Sequence, residues 1–146
     1  GKPKRTSSVP EKTFVMIKTD GMQRGLAPEI ISRIENSGLS IVEQKDIYTT
    51  REQAERLYSA HKGQRYFEPL VEYLMSDKIK AMKVEGENAV AVMRGLMGPT
   101  DPKNAPEGTI RGDYRFDDPG SKVIKNTVHG SDSAQSAERE LSIFFE

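Results

Sequence analysis

The 146-residue chain has no cysteine, two histidines and no excess of either charge, with 22 basic against 22 acidic residues. Without thiols there is neither a disulfide framework nor a thiolate metal site, and nothing supports secretion, so a cytoplasmic setting is expected. Two histidines are too few for the common zinc ligand sets. A net charge of zero argues against a broad electrostatic grip on nucleic acid, so any phosphate binding must come from local clustering. No apolar run approaches the roughly 18 residues of a membrane span, and the start carries no signal-peptide apolar core, so no membrane partner is expected. The Gly-x4-Gly-Lys-Ser/Thr loop and the protein-kinase signature set are also missing, which excludes both as means of handling nucleotide phosphates.

What is present reads as one soluble domain. Hydrophobic content is 35% and charged content 30%, and a chain of this length buries about two-thirds of its unfolded surface. Gly1 to Lys12, with Lys2, Lys4, Arg5 and two prolines, has almost nothing to bury and is expected to be a disordered tail preceding a single domain over 13–146. Phe14-Val15-Met16-Ile17 suits a strand buried on both faces. Ile30, Ile31 and Ile34 recur at helical spacing, and Thr50 with Gln53 forms a capping-box pair ahead of a helix carrying Ala54 and Leu57. A second apolar stripe runs from Tyr66 to Met75, a strand over Ile79–Glu85 and a helix over Asn88–Met97. Gly98 to Pro106, rich in proline and bracketed by Arg94 and Arg111, reads as an irregular loop of functional kind. The order β, α, β, two helices, β, α, loop, short β, α is that of an α+β sandwich.

The stretch Asn126-Thr127-Val128-His129-Gly130-Ser131-Asp132-Ser133 organises the rest. A short β-branched run ends in a lone histidine, and a helix follows for which Asp132 is the expected N-cap, with Gln135 three residues on. His129 therefore sits where a helix's positive end favours an anion, and an imidazole is mostly neutral at pH 7, ready as nucleophile or base. For an isolated His-Gly-Ser the plainer reading is a histidine that hydrogen-bonds a turn. The rest of the chain overturns it.

Five separated pieces resemble the nucleoside diphosphate kinase family, in family order: Thr13 to Gly21, Gln23-Arg24-Gly25, Arg94 to Thr100, Pro106 to Asp113, and Asn126 to Ser133 with its Asn-x-x-His-Gly-Ser-Asp signature. The resemblance implies a ferredoxin-like βαββαβ core with a four-stranded antiparallel sheet. It also implies transfer of the γ-phosphoryl of one nucleotide to a second through a phosphohistidine on His129, reacting through Nδ1. By the same resemblance Lys18 and Asn126 hold the ribose hydroxyls, Tyr66 stacks on the base with Leu70 beside it, and Arg94, Thr100 and Arg111 bind phosphate. Tyr58 brings a phenol near the transferred group, Gly130 allows close backbone approach, and Ser131 with Glu140 orients the imidazole. Glu140, about two turns into the final helix, can face back toward the strand end. Magnesium held by the nucleotide phosphates is the implied cofactor, ATP, GTP and other nucleoside tri- and diphosphates the substrates, and self-association as a hexamer in preference to a tetramer the assembly.

The chain departs from the family at several places. Thr19 replaces a proline, Tyr66 a phenylalanine and Val84 a tryptophan, and the chain stops early at Phe144-Phe145-Glu146. Asp117 to Lys122 is longer than the family's segment there; Tyr114-Arg115-Phe116 and Val123-Ile124-Lys125 suggest strands flanking a type II turn at Pro119-Gly120, a projecting hairpin that leaves the chemistry alone. The competing class is a ferredoxin-like module that binds nucleotides or nucleic acid without catalysis. Against it stands the full set of catalytic positions.

Overall fold

A computed structural model describes residues 10–116 and 118–145. Residues 1–9 of the expected tail lie outside that range, whereas Glu11 and Lys12 already open strand β1 (Glu11–Ile17). Phe14, Val15, Met16 and Ile17 are fully buried, because β1 is central and helices cover both faces of the sheet. Strands β2 (Ser40–Ile47), β3 (Ile79–Gly86) and β4 (Val128–Gly130) join it in the order β2-β3-β1-β4. All pairings are antiparallel, so the expected ferredoxin-like α+β fold with a four-stranded sheet is what the chain adopts.

The two faces follow from the alternation of side chains along β1. Val15 and Ile17 pack with Ile30 and Ile34 of helix α2 (Ala27–Asn36) and with Met93 and Met97 of helix α5 (Ala89–Met97). Phe14 and Met16 face the other way, onto α3 (Arg51–Leu57), α4 (Phe67–Met75) and α7 (Ala134–Phe144). Each fully buried aliphatic or aromatic side chain contributes about 1.5 to 3 kcal/mol. The Thr50–Gln53 capping box forms in both directions, at 3.1 and 3.0 Å. Lys80 and Lys83, polar positions inside β3, are accommodated by ion pairs across to Asp46 and Glu43 of edge strand β2.

Four local expectations are corrected. A short helix α1 (Thr19–Gln23) follows β1 directly, and another, α6 (Ile110–Asp113), carries Arg111; each has too few residues for periodicity to reveal. The loop after α5 is not wholly irregular, since Pro102–Asn104 forms a 3-10 turn under Asp101. Helix α7 is capped by Ser133, whose Oγ accepts from the Ser136 N–H at 3.0 Å, so Asp132 is left outside the helix. The segment after α6 is not a hairpin. Tyr114 closes α6, neither triplet forms a strand, and the turn at Pro119-Gly120 closes through Ser121 N–H to the Asp118 carbonyl at 3.0 Å without the positive φ that type II requires of Gly120. Cations pull the segment inward: Lys125 pairs with Asp118 and lies over the Tyr73 ring, and Arg24 lies over Phe116. Among the described residues no helix is long and apolar enough to cross a membrane.

Candidate active site

The site grows from the adjoining ends of β1 and β4. Their register sets His129 opposite Met16, on the face covered by α7, and the ring lies 5.9 Å from that of Phe14. Glu140 of α7 is 5% exposed and reaches back to it. Its Oε1 lies 2.9 Å from His129 Nε2 and accepts from the Ser131 hydroxyl at 2.7 Å. A carboxylate accepts only, so Nε2 carries the proton and Nδ1 keeps the lone pair. The expected roles of Ser131 and Glu140 in orienting the imidazole have the geometry they need.

His129 lines a cavity of about 820 Å³ together with Lys18, Arg94, Thr100, Arg111, Asn126 and Gly130. Among the described residues the carboxylate that lines it is Asp132, which Ser133 displaces from the cap and which is held below its usual range chiefly by the Ser136 side chain. Lys18 donates to Asn126 Oδ1 at 3.0 Å, and Asn126 in turn donates to the Thr100 carbonyl at 2.9 Å. Burial lowers the Lys18 ammonium from 10.5 to about 8, against the pull of Asp20 and with a further push from Arg111. Arg111 donates to the carbonyls of Gly98 and Val128, both at 2.8 Å, while its Nε is buried without a partner among the described residues. Burial and then the neighbouring Arg94 lower its guanidinium to about 10. Arg111 is therefore a brace as well as a cation, whereas Arg94 is exposed on α5. Gly112 has to be glycine, since a Cβ would stand 2.1 Å from the Pro106 carbonyl oxygen.

A second cavity, of about 400 Å³, shares Lys18, His61, Thr100 and Asn126 with the first and is walled by Tyr66 and Leu70. His61, not singled out in the sequence, sits 2.9 Å through Nδ1 from the Tyr66 hydroxyl, the group a phenylalanine would lack. Of the expected site residues, Ser131, Glu140 and Tyr58 line neither cavity; Glu140 reaches His129 from behind, with Ser131 bonded to it, and Tyr58 does not. It is 6% exposed in the core under α3 and α4, its hydroxyl has no partner among the described residues, and burial, with Glu140 and Asp20, holds it well above its usual value. Its place beside the transferred group is thus not seen, because the ring serves the core first.

Sequence reasoning also missed a clamp. Asp20 accepts from Thr127 N–H at 3.0 Å and from the Tyr73 hydroxyl, while its own N–H donates to the Tyr73 oxygen at 3.0 Å. Thr127 has φ +76°, a conformation a β-branched residue adopts only under constraint. The clamp supplies the constraint and delivers Asn126 to Lys18. Tyr73, one helical turn beyond Leu70, was the available signal.

Such a site can hold a run of phosphates between cations and against an unprotonated imidazole nitrogen, which puts the protein among phosphoryl-transfer enzymes of α+β architecture. Residues 11–146 match the family described as nucleoside diphosphate kinase. The chain is 49% identical over 138 residues to the nucleoside diphosphate kinase of Saccharolobus solfataricus, covering 94% of this chain and 96% of that one. It is similar to the structure of a halophilic nucleoside diphosphate kinase from Halobacterium salinarum in complex with CDP, at TM-score 0.86 and 41% identity, with 94% and 88% of the two chains covered. A transition state mimic of the enzyme from Borrelia burgdorferi with bound vanadate and ADP gives TM-score 0.87 at 29% identity, covering 96% and 89%. The chain belongs to the nucleoside diphosphate kinase family and is a phosphotransferase that acts on nucleotides.

Proposed function

We propose that phosphoryl transfer runs in two displacements through His129. The Nδ1 lone pair attacks the γ-phosphorus of a nucleoside triphosphate, the bond to the bridging oxygen breaks, and the diphosphate leaves with the electron pair. A β-phosphate oxygen of a second nucleotide then attacks the phosphohistidine and the N–P bond breaks, returning Nδ1. Throughout, the Nε2 proton stays on the Glu140 hydrogen bond, whose carboxylate stabilises the positive charge that builds on the ring. One observation carries the reading: Nε2 is tied to a buried carboxylate while the ring borders a cavity with three cationic side chains. A module that only binds nucleotides gains nothing from that tie.

Arg94, Arg111 and Thr100 serve the phosphates, Gly130 leaves backbone room beside them, Lys18 and Asn126 the ribose, and Tyr66 and Leu70 the base. The orphaned Arg111 Nε, on a side chain that lines the cavity, is a donor that a bound phosphate oxygen can satisfy. Stacking on Tyr66 admits ATP, GTP and other nucleotides alike. Mg²⁺ would be carried in on the nucleotide's phosphates, with Asp132 in the same cavity lining, and would neutralise phosphate charge. The setting we assign is cytoplasmic. The edge strand β2, with Val42 49% exposed and Tyr48 beyond its end 62% exposed, supports self-association, for which a hexamer is preferred over a tetramer and light scattering is the check. The decisive experiment is intact mass after mixing with ATP and magnesium. One acid-labile phosphate is expected, absent in His129→Ala; no mass change, or a phosphate stable to acid, overturns the reading.

A further inference from the structure

The base-side cavity has two walls of different origin. One is α4, with Tyr66 and Leu70; the other is the lengthened segment between α6 and β4, which contributes Lys122, Val123 and Ile124. Tyr66 and Ile124 are large apolar side chains left 42% and 51% exposed, facing one cavity, as a slot for a flat ring requires. Lys122 is of another kind. It is exposed, the cavity lining holds no carboxylate among the described residues, and Asp118 is already taken by Lys125.

The segment that carries Lys122 is pinned. Ser121 Oγ donates to the Val123 carbonyl at 2.7 Å and accepts from its N–H at 3.1 Å, which brackets Lys122 between two fixed residues. The turn at Asp118–Ser121 and the Lys125 ammonium over the Tyr73 ring tie both ends of the segment down.

An ammonium only donates. At the rim of a stacked base it complements carbonyl oxygens, such as O6 of guanine or O4 of uracil and thymine; the ring nitrogen N7 is common to both purines and does not discriminate. The ammonium opposes the amino groups that adenine and cytosine present at the same edge. We propose that Lys122 reads the edge of the bound base, so that the enzyme favours nucleotides whose base carries a carbonyl there over those carrying an amino group. The inference rests on the assignment of this cavity to the base, and it replaces indifference to the base with a graded preference set by the lengthened segment.

The test is the rate of phosphohistidine formation from GTP, ATP, UTP and CTP at varied concentration, in the wild-type chain, Lys122→Met and Lys122→Glu. Methionine keeps the apolar stem without the charge. The GTP to ATP and UTP to CTP ratios of kcat/KM are expected above one in the wild type, and lower by roughly three- to tenfold in Lys122→Met, the size of an exposed charge-assisted contact. The change should be carried by KM rather than kcat, and Lys122→Glu should lower the ratios further. Ratios that stay unchanged overturn the proposal, as does an equal loss for all four nucleotides, which would make Lys122 a phosphate or sugar contact. In both cases phosphohistidine still forms, so the phosphotransfer reading survives; its absence with every nucleotide sinks both.

Discussion

Replacing Asp20 by alanine is expected to damage this enzyme more than its distance from the phosphate cavity suggests. The side chain is 4% exposed and satisfies two donors, the Thr127 N–H and the Tyr73 hydroxyl. A donor left unpaired in such surroundings costs about 1 to 3 kcal/mol. Part returns as Thr127 relaxes from its left-handed backbone, strain worth about 1 to 2 kcal/mol. The net loss is about 2 to 4 kcal/mol, a fall in Tm of roughly 5 to 15 °C for a domain of this size. Relaxation of Thr127 also withdraws Asn126 from Lys18, so nucleotide KM should rise together with the loss of stability. Asp20→Asn keeps one accepting oxygen and should lose about half as much. Calorimetry and steady-state kinetics on the two variants measure both effects. A Tm within 2 °C of wild type for Asp20→Ala, with KM unchanged, would refute the reasoning, since the clamp would then hold nothing in place.

The two arginines should separate stability from chemistry. Arg94→Ala, at an exposed position, should leave Tm within about 1 to 2 °C but lower kcat/KM by one to three orders of magnitude, as expected for a lost phosphate cation. Arg111→Ala should do both, because two carbonyls lose charged donors worth about 1.5 to 3 kcal/mol each; equal Tm values for the two variants would refute the bracing role, and full activity in Arg94→Ala the phosphate role. For Lys18, depressed from 10.5 to about 8, the native state sheds its proton before the unfolded chain does. Stability relative to Lys18→Met should therefore rise by about 3 kcal/mol between pH 8 and 10.5, with the burial cost of the charge fully present below pH 8. Over the same range kcat/KM should fall as the ammonium proposed to hold the ribose is lost. A kcat/KM flat to pH 9.5 would exclude a charged Lys18 from binding.

Residue order alone determined much of this protein. The apolar run of β1, the isoleucine spacing of α2 and the Thr50–Gln53 cap were legible because each depends on neighbours within about four positions, the range over which backbone periodicity and capping act. The family resemblance named the residues around His129 and implied Glu140 as its partner, with which a place about two turns into α7 is consistent. Tertiary structure decided which buried polar groups satisfy one another. Asp20 and Thr127 are 107 positions apart and Asp20 and Tyr73 are 53, so no local pattern signals their clamp. Arg111 looks like a phosphate ligand in sequence and becomes a brace only when the Gly98 and Val128 carbonyls arrive beside it. The lengthened segment reads locally as a hairpin, since its triplets favour strands. Ion pairing and an aromatic face on α4 instead fold it against the cavity, because three-residue strands without a sheet to join cannot outweigh those contacts.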